Sequence, residues 1–397
     1  MGKPSSVQVT GPLATYSDGF RLELARQGFT ANAASNQLQL MAHASRWLAS
    51  QRLGVGELTP DRVSEFLDAR RAEGYTLWLS PKAMVPVLGY LRGIGVLATP
   101  VPAAPVTPAE KLTAHYRTYL VTERGLAAGT VTSYLHVARL VLSTRPPSAL
   151  GLEHLSAGEV SRFALAECTT RSVGSAKYIV CGLRSLVRFL YVAGYTDRQL
   201  EAAVPKVAGW RLAGLPKAIG PHDVARLLAS CDRRSTFGRR DFAVLSVLAR
   251  LGLRSGEVAA IELADIDWRS GEVVIRGKGR RQERLPLPVD VGDAIAGWLQ
   301  RGRPRCECAT VFTRVRAPHR ELSSGGISAI VRAACARAGL PAMHAHRLRH
   351  TAATNMLRAG AGLVEIGQVL RHESVLTTSI YANPRELRST RAKAQVG

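Results

Sequence analysis

Hydrophobic residues recur at three- and four-residue steps through most of this chain, the spacing that lays an apolar stripe along an α-helix. From Arg240 to Gly252 the stripe is dense and predicts a strongly apolar helix; Ser255 to Leu263 predicts another. Period two takes over at Glu272-Val273-Val274-Ile275-Arg276, which reads as a strand. The turn Gly277-Lys278-Gly279 follows, then a second strand around Arg284-Leu285-Pro286-Leu287. Helical spacing returns over 291–299, 326–338, 347–359 and 363–370, with a short stretch at 376–381. The expected fold class is mainly α with a small antiparallel β-sheet (α+β) in the C-terminal part.

Two breaks divide the pattern. Pro100, Pro102, Pro105 and Pro108 fall within nine residues, which opposes a helix and favours an extended spacer. The second break runs from Pro205 to Pro216 and carries Gly209 and Gly214. The implied domains are residues 19–98, 109–205 and 217–397. The first two resemble each other. Leu58-Thr59-Pro60-Asp61-Arg62-Val63-Ser64-Glu65-Phe66 aligns with Leu155-Ser156-Ala157-Gly158-Glu159-Val160-Ser161-Arg162-Phe163 at an offset of 97, which Gly28 and Gly125 share. Leu88-Gly89-Tyr90-Leu91 aligns with Val187-Arg188-Phe189-Leu190 at 99. Each copy predicts four or five short amphipathic helices, and Ser156 with Glu159 forms a capping-box signature.

Charge adds the first functional hint. The chain of 397 residues carries a formal net charge of +23. Residues 1–96 hold 10 Lys/Arg against 7 Asp/Glu, and residues 97–205 hold 11 against 7. The remaining 32 against 16 lie beyond 205, so the excess is concentrated in the C-terminal part. Such an excess attracts a polyanion and releases its counterions on binding. Hydrophobic residues make up 46%, yet no run reaches the roughly 20 needed to span a bilayer. Met1 to Phe20 lacks the basic start and apolar core of a secretory signal, so a cytoplasmic location without membrane association is expected. The six cysteines form no paired framework; Cys306-Glu307-Cys308 has only His319 as a nearby candidate ligand, so neither metal nor cofactor is expected.

Cleaving a phosphodiester by transesterification needs a nucleophile, a proton source for the leaving oxygen and cations around the transition state. Arg suits the last task because its planar fork stays charged and grips phosphate oxygens. The third domain supplies, in order, Arg254, Lys278, His346, Arg349, His372 and Tyr381. Taken singly, each has an ordinary explanation. Arg254 is a helix-junction arginine that Glu257 could orient, Lys278 a turn lysine, and His346 with Arg349 a pair on one helix face. His372 would be a helix-end histidine and Tyr381 a packing tyrosine.

Together these residues resemble the catalytic domain of the tyrosine recombinases, the phage integrase family. The matching text is Gly252-Leu253-Arg254-Ser255-Gly256-Glu257, then Gly277-Lys278-Gly279 and His346-Arg347-Leu348-Arg349-His350-Thr351. Leu370-Arg371-His372 and Ile380-Tyr381 complete it. Residues 109–205 resemble the family's SAM-like core-binding bundle, and 19–98 adds a further helical, DNA-binding-like module. Two departures stand out: Arg371 replaces a frequent Gly, and Asn383 a frequent His.

The resemblance implies a site-specific recombinase that cleaves and rejoins double-stranded DNA through a 3′-phosphotyrosine on Tyr381, integrating or moving a mobile element. It implies Arg254 and Arg349 as phosphate clamps, Lys278 as acid, His346 as base and His372 as a phosphate ligand. It also implies a homotetramer on two DNA sites, with sister or accessory recombinases as further partners. The rival readings are a type IB topoisomerase, which shares the tyrosine chemistry, and a catalytically inactive DNA-binding relative.

Overall fold

The computed structural model describes residues 7–99, 104–146, 150–207, 218–277 and 282–371. They form two compact units: Val101–Ala213 by itself, and Met1–Pro100 together with Gly214–Gly397. No helix among the described residues is long and apolar enough to cross a membrane.

The N-terminal hundred residues contain α1 (Ser17–Arg26), α2 (Ala31–Ser50), α3 (Pro60–Ala72) and α4 (Pro81–Gly93), closed around Leu24, Met41, Phe66 and Leu91. The Val101–Ala213 unit contains α5 (Pro108–Thr118), α6 (Ala128–Leu142), α7 (Ala157–Thr169) and α8 (Val173–Val192) around its own core. The helix bounds keep the internal offsets read from the sequence. Both ends of α3 and α7 lie 97 apart, and the C-terminal ends of α4 and α8 lie 99 apart. The buried faces match as well: Met84, Val87, Leu88 and Leu91 correspond to Leu183, Leu186, Val187 and Leu190. Helix starts follow from capping. Thr59 accepts the Arg62 N–H, while Ser156 accepts the Glu159 N–H and receives the Glu159 carboxylate on its own N–H at 2.9 Å.

The C-terminal part begins with α9 (Pro221–Ala229), α10 (Thr236–Leu251) and α11 (Ser255–Ala259). A three-stranded antiparallel sheet follows: β1 (Ile266–Asp267), β2 (Glu272–Arg276) and β3 (Gln282–Pro286), in that spatial order. Val273 pairs with both Ile266 and Leu285, so β2 is central and turns Val273 and Ile275 inward. Then come α12 (Val289–Arg301), α13 (Ser324–Arg337), α14 (Ala345–Arg358) and α15 (Leu363–Val369). The core gathers α10, α12, α13 and the start of α14 around the fully buried Trp298, whose indole N–H donates to the Val311 carbonyl at 2.8 Å.

Three details differ from the sequence reading. Helix α10 starts at Thr236, four residues earlier, because Ser235 caps it through the Gly238 N–H. Helix α11 stops at Ala259, after which Glu262 bridges to Thr310. Strand β1 went unpredicted because two residues show no period.

The N-terminal helices also touch the C-terminal part. The His319 N–H donates to the Gln27 carbonyl at 3.0 Å, and Arg26 pairs with Glu307 at 2.8 Å. Gly28 has φ +80°, and a Cβ there would lie 1.9 Å from the His319 ring. Only glycine fits both conditions.

Candidate active site

Arg254 is delivered by a sharp helix ending. Gly252 takes φ +61° and terminates α10, and a side chain there would run into Leu370 at 2.8 Å and Ala352 at 3.2 Å. Two residues later Arg254 sits at the N-cap of α11, where the Glu257 carboxylate accepts its backbone N–H at 2.7 Å. The same carboxylate accepts from the Arg254 side chain at 2.6 Å.

Glu257 is the hub. It also accepts from Arg371 at 2.6 Å and lies 3.9 Å from a nitrogen of Arg349. Burial alone would raise the Glu257 carboxyl. The Arg254 N–H and the Arg371 and Arg254 guanidiniums overcome that and hold it below the usual carboxylate range. One buried carboxylate thus holds three arginines in place. They differ in access: the Arg254 side chain is 45% exposed, whereas those of Arg371 and Arg349 are 6% and 0%.

Arg349 projects from the first turns of α14 towards the Glu257 carboxylate that also holds Arg254. One guanidinium nitrogen donates to the Gly252 carbonyl at 2.8 Å and the other to the Leu370 carbonyl. These are the C-terminal carbonyls of α10 and α15, so Arg349 ties three helix ends together. His346, one turn earlier, packs edge-on against His350 with centroids 4.4 Å apart. Burial of its packed ring face lowers its basicity most, and the nearby Arg349 and Arg254 charges lower it further. Both effects favour the neutral ring.

The structure thus brings together Arg254, His346 and Arg349. Lys278, His372 and Tyr381 lie outside the described residues, as does the short helix expected at 376–381. The pairing of Arg276 with Gln282 does show which two strands flank Lys278. Arg371 holds φ +53°, the left-handed region, which accounts for the Gly frequent at this position in the resemblance. Its carboxylate partner was not legible, because Glu257 lies 114 residues away.

The six cysteines are free thiols. Among the described residues no group of three or more His, Cys, Asp or Glu is arranged to hold a metal ion. Cys308 lies 3.8 Å from a Glu321 carboxylate oxygen.

The model of the phage integrase family matches residues 217–388. An integrase/recombinase of Sinorhizobium fredii (strain NBRC 101917 / NGR234), y4rA, is 38% identical over 377 residues, covering 94% of this chain and 91% of its own length. The tyrosine recombinase XerD of Listeria monocytogenes serotype 4b (strain F2365) is 29% identical over 280 residues, covering 68% and 93%. Among solved structures, a lambda integrase dimer bound to a COC′ core site aligns at TM-score 0.55 and 17% identity, over 70% of this chain and 96% of that one. A XerH recombinase bound to a palindromic difH substrate aligns equally well, with 18% identity over 71% and 84%. At such identities the structures speak to fold: mainly helical with a small antiparallel sheet.

Proposed function

Because the chain belongs to the phage integrase family of tyrosine recombinases, we propose that it is a site-specific DNA recombinase working through a 3′-phosphotyrosine intermediate. The observation that carries this reading is the clustering of Arg254, Arg349 and His346 around one end of α10, ordered by Glu257.

In this reading the Tyr381 oxygen attacks the scissile phosphorus. The new P–O bond replaces the bond to the 5′ oxygen, which leaves as a hydroxyl, and the phosphodiester energy is kept for rejoining. His346 suits the role of base or proton shuttle, since a neutral imidazole can accept the tyrosine proton. Lys278, which follows β2 in the sequence, gives a proton to the departing oxygen, and His372 hydrogen-bonds the phosphate. Solvent-facing Arg254 meets the phosphate directly. Arg349 adds positive charge from its buried position, where the low dielectric strengthens its field.

The domain assignment goes with it: 217–397 as the catalytic domain, 109–205 as the core-binding domain and 19–98 as a further DNA-binding-like module. Double-stranded DNA is the substrate, and the strong positive charge supports it. A homotetramer on two sites is the working assembly; a lambda integrase tetramer bound to a Holliday junction is a structural neighbour with TM-score 0.55. The setting in this reading is integration or movement of a mobile element, with sister or accessory recombinases as further partners; the name of the y4rA relative, integrase/recombinase, supports the integration.

A nicked duplex that traps the covalent stage tests the chemistry. The native chain should form a protein–DNA adduct joined through a 3′ phosphate, and Tyr381→Phe should form none. An unchanged adduct in Tyr381→Phe would remove Tyr381 as nucleophile. Relaxation of supercoiled DNA lacking paired sites would instead favour the topoisomerase reading.

A further inference from the structure

Arg70, in the last turn of α3, is a buried cation without a counter-ion. The residue is 4% exposed, and its Nε and Nη1 are buried without a hydrogen-bond partner. Its one hydrogen bond is a long 3.4 Å contact from Nη2 to the Leu77 carbonyl. The Tyr75 ring covers the guanidinium at 4.1 Å, with Phe66 at 5.8 Å. Among the described residues no carboxylate lies within ion-pair distance. Desolvating a guanidinium this way is costly unless something pairs with it.

The surroundings offer donors. Arg70 lines a cavity of about 260 Å³ together with Gln39, His43, Tyr75, Leu77 and Trp78. His43 stands edge-on to Tyr75, with centroids 5.0 Å apart, and its Nδ1 lies 3.1 Å from Arg46 Nη2. A guanidinium can only donate, so Nδ1 accepts and the neutral ring carries its proton on Nε2. Arg70 and His43 thus present N–H groups from two helices. Trp78, 36% exposed, supplies a flat apolar face at the rim.

The second module shows that the bundle itself does not require this cation. At the offset of 97, Arg70 corresponds to Glu167, which pairs with Arg171 at 2.5 Å. His43 corresponds to Leu140, packed on that unit's core. Both copies have a cavity here, the second lined by His136, Arg171, Gly174 and Ser175, but only the first has a buried guanidinium with no ion-pair partner on its wall.

We infer that Arg70 and His43 form a phosphate-binding pocket on the first module, taking the phosphate of a nucleotide unit whose base stacks on Trp78. The one carboxylate that acts on both groups, Glu73, pairs with neither, so the donors suit an oxyanion; a cavity larger than a phosphate, rimmed by an aromatic face, suits the attached nucleoside. The phosphate source is a DNA strand or a free nucleotide. The inference does not depend on the chemistry proposed for Tyr381.

Hydrogen exchange of residues 74–78 in the full-length protein tests it, with three probes: a short single-stranded oligonucleotide, thymidine monophosphate and thymidine. Both phosphate-bearing probes slow exchange if the pocket takes a free nucleotide, and the oligonucleotide alone does so if it takes a strand. Thymidine leaves exchange unchanged. Arg70→Met should weaken the protecting probe at least about tenfold, the loss of one charge-assisted hydrogen bond. His43→Leu, which copies the second module, provides a second, gentler variant expected to weaken it several-fold. Tyr381→Phe should keep the protection, separating this pocket from the strand-transfer site. No protection by either phosphate probe, or equal protection in Arg70→Met, would overturn the inference. So would protection by a polyglutamate peptide alone, which would mark an acidic protein partner.

Discussion

Arg349 and Arg70 are both almost wholly removed from solvent, at 0% and 4% exposure, and their surroundings differ in kind. Arg349 donates to two helix-end carbonyls and lies beside a carboxylate that two other arginines also use. Arg70 has the Tyr75 and Phe66 rings near its guanidinium and a single long contact to a carbonyl. The first guanidinium is part of the scaffold that holds Arg254 and His346. The second has donor capacity that the fold leaves unused. Buried charge therefore has two meanings here, and the partner list tells them apart.

The largest way to break this contrast is to take away the carboxylate on the compensated side. Glu257→Gln keeps the shape but leaves Arg254, Arg349 and Arg371 facing one another without a counter-charge. Loss of a buried partner of this kind costs about 3–5 kcal/mol. Chemical unfolding of the variant should show that loss, and the nicked-duplex adduct should disappear with it. A variant as stable as the native chain would mean the cluster is held by other contacts.

Acidification should act on the same point more gradually. The folded Glu257 carboxyl is held below its ordinary value, so its contribution is fully present above the unfolded pKa. It is lost as pH falls through the folded pKa. The stability gap between the native chain and Glu257→Gln should therefore narrow on titration from neutral towards about pH 3. A constant gap would show that the carboxylate's charge contributes nothing.

Arg70→Met should move stability least, and in the opposite direction. Replacing an uncompensated buried charge by an apolar side chain of similar length is neutral or stabilising, by about 1 kcal/mol or more. A thermal transition lowered by several degrees would mean that Arg70 is a structural element after all and would erase the contrast with Arg349.

Much of this arrangement was written locally in the chain. Ser156 and Glu159 announced a helix start that the structure makes with both bonds of the box. The alternation of Glu272–Arg276 gave the central strand its bounds, since two inward residues alternate with partly exposed ones. Gly252-Leu253-Arg254 was readable as a helix end followed by a cation. Other features were not readable, because they depend on residues far apart in sequence. The bond from Arg371 to Glu257 spans 114 residues, and nothing in the Leu370-Arg371-His372 text hints at its partner. Nothing in the sequence sets Arg70 apart from its neighbour Arg71; burial among residues that include Tyr75 and Leu77 removes it from water. Lys278, His372 and Tyr381 rest on motif and order alone.

The interlock of Gly28 with His319 has a topological consequence. Residues 1–100 and 214–397 belong to one unit, and the Val101–Ala213 unit lies between its two parts in the sequence. The middle module is in this sense an insertion, and the hydrogen bond to Gln27, the Arg26–Glu307 pair and the snug glycine form the clasp that closes the ring. Closing a ring that the backbone already tethers costs entropy that grows only as the logarithm of its length. A clasp of three small contacts can therefore hold where the same surfaces on separate molecules would drift apart.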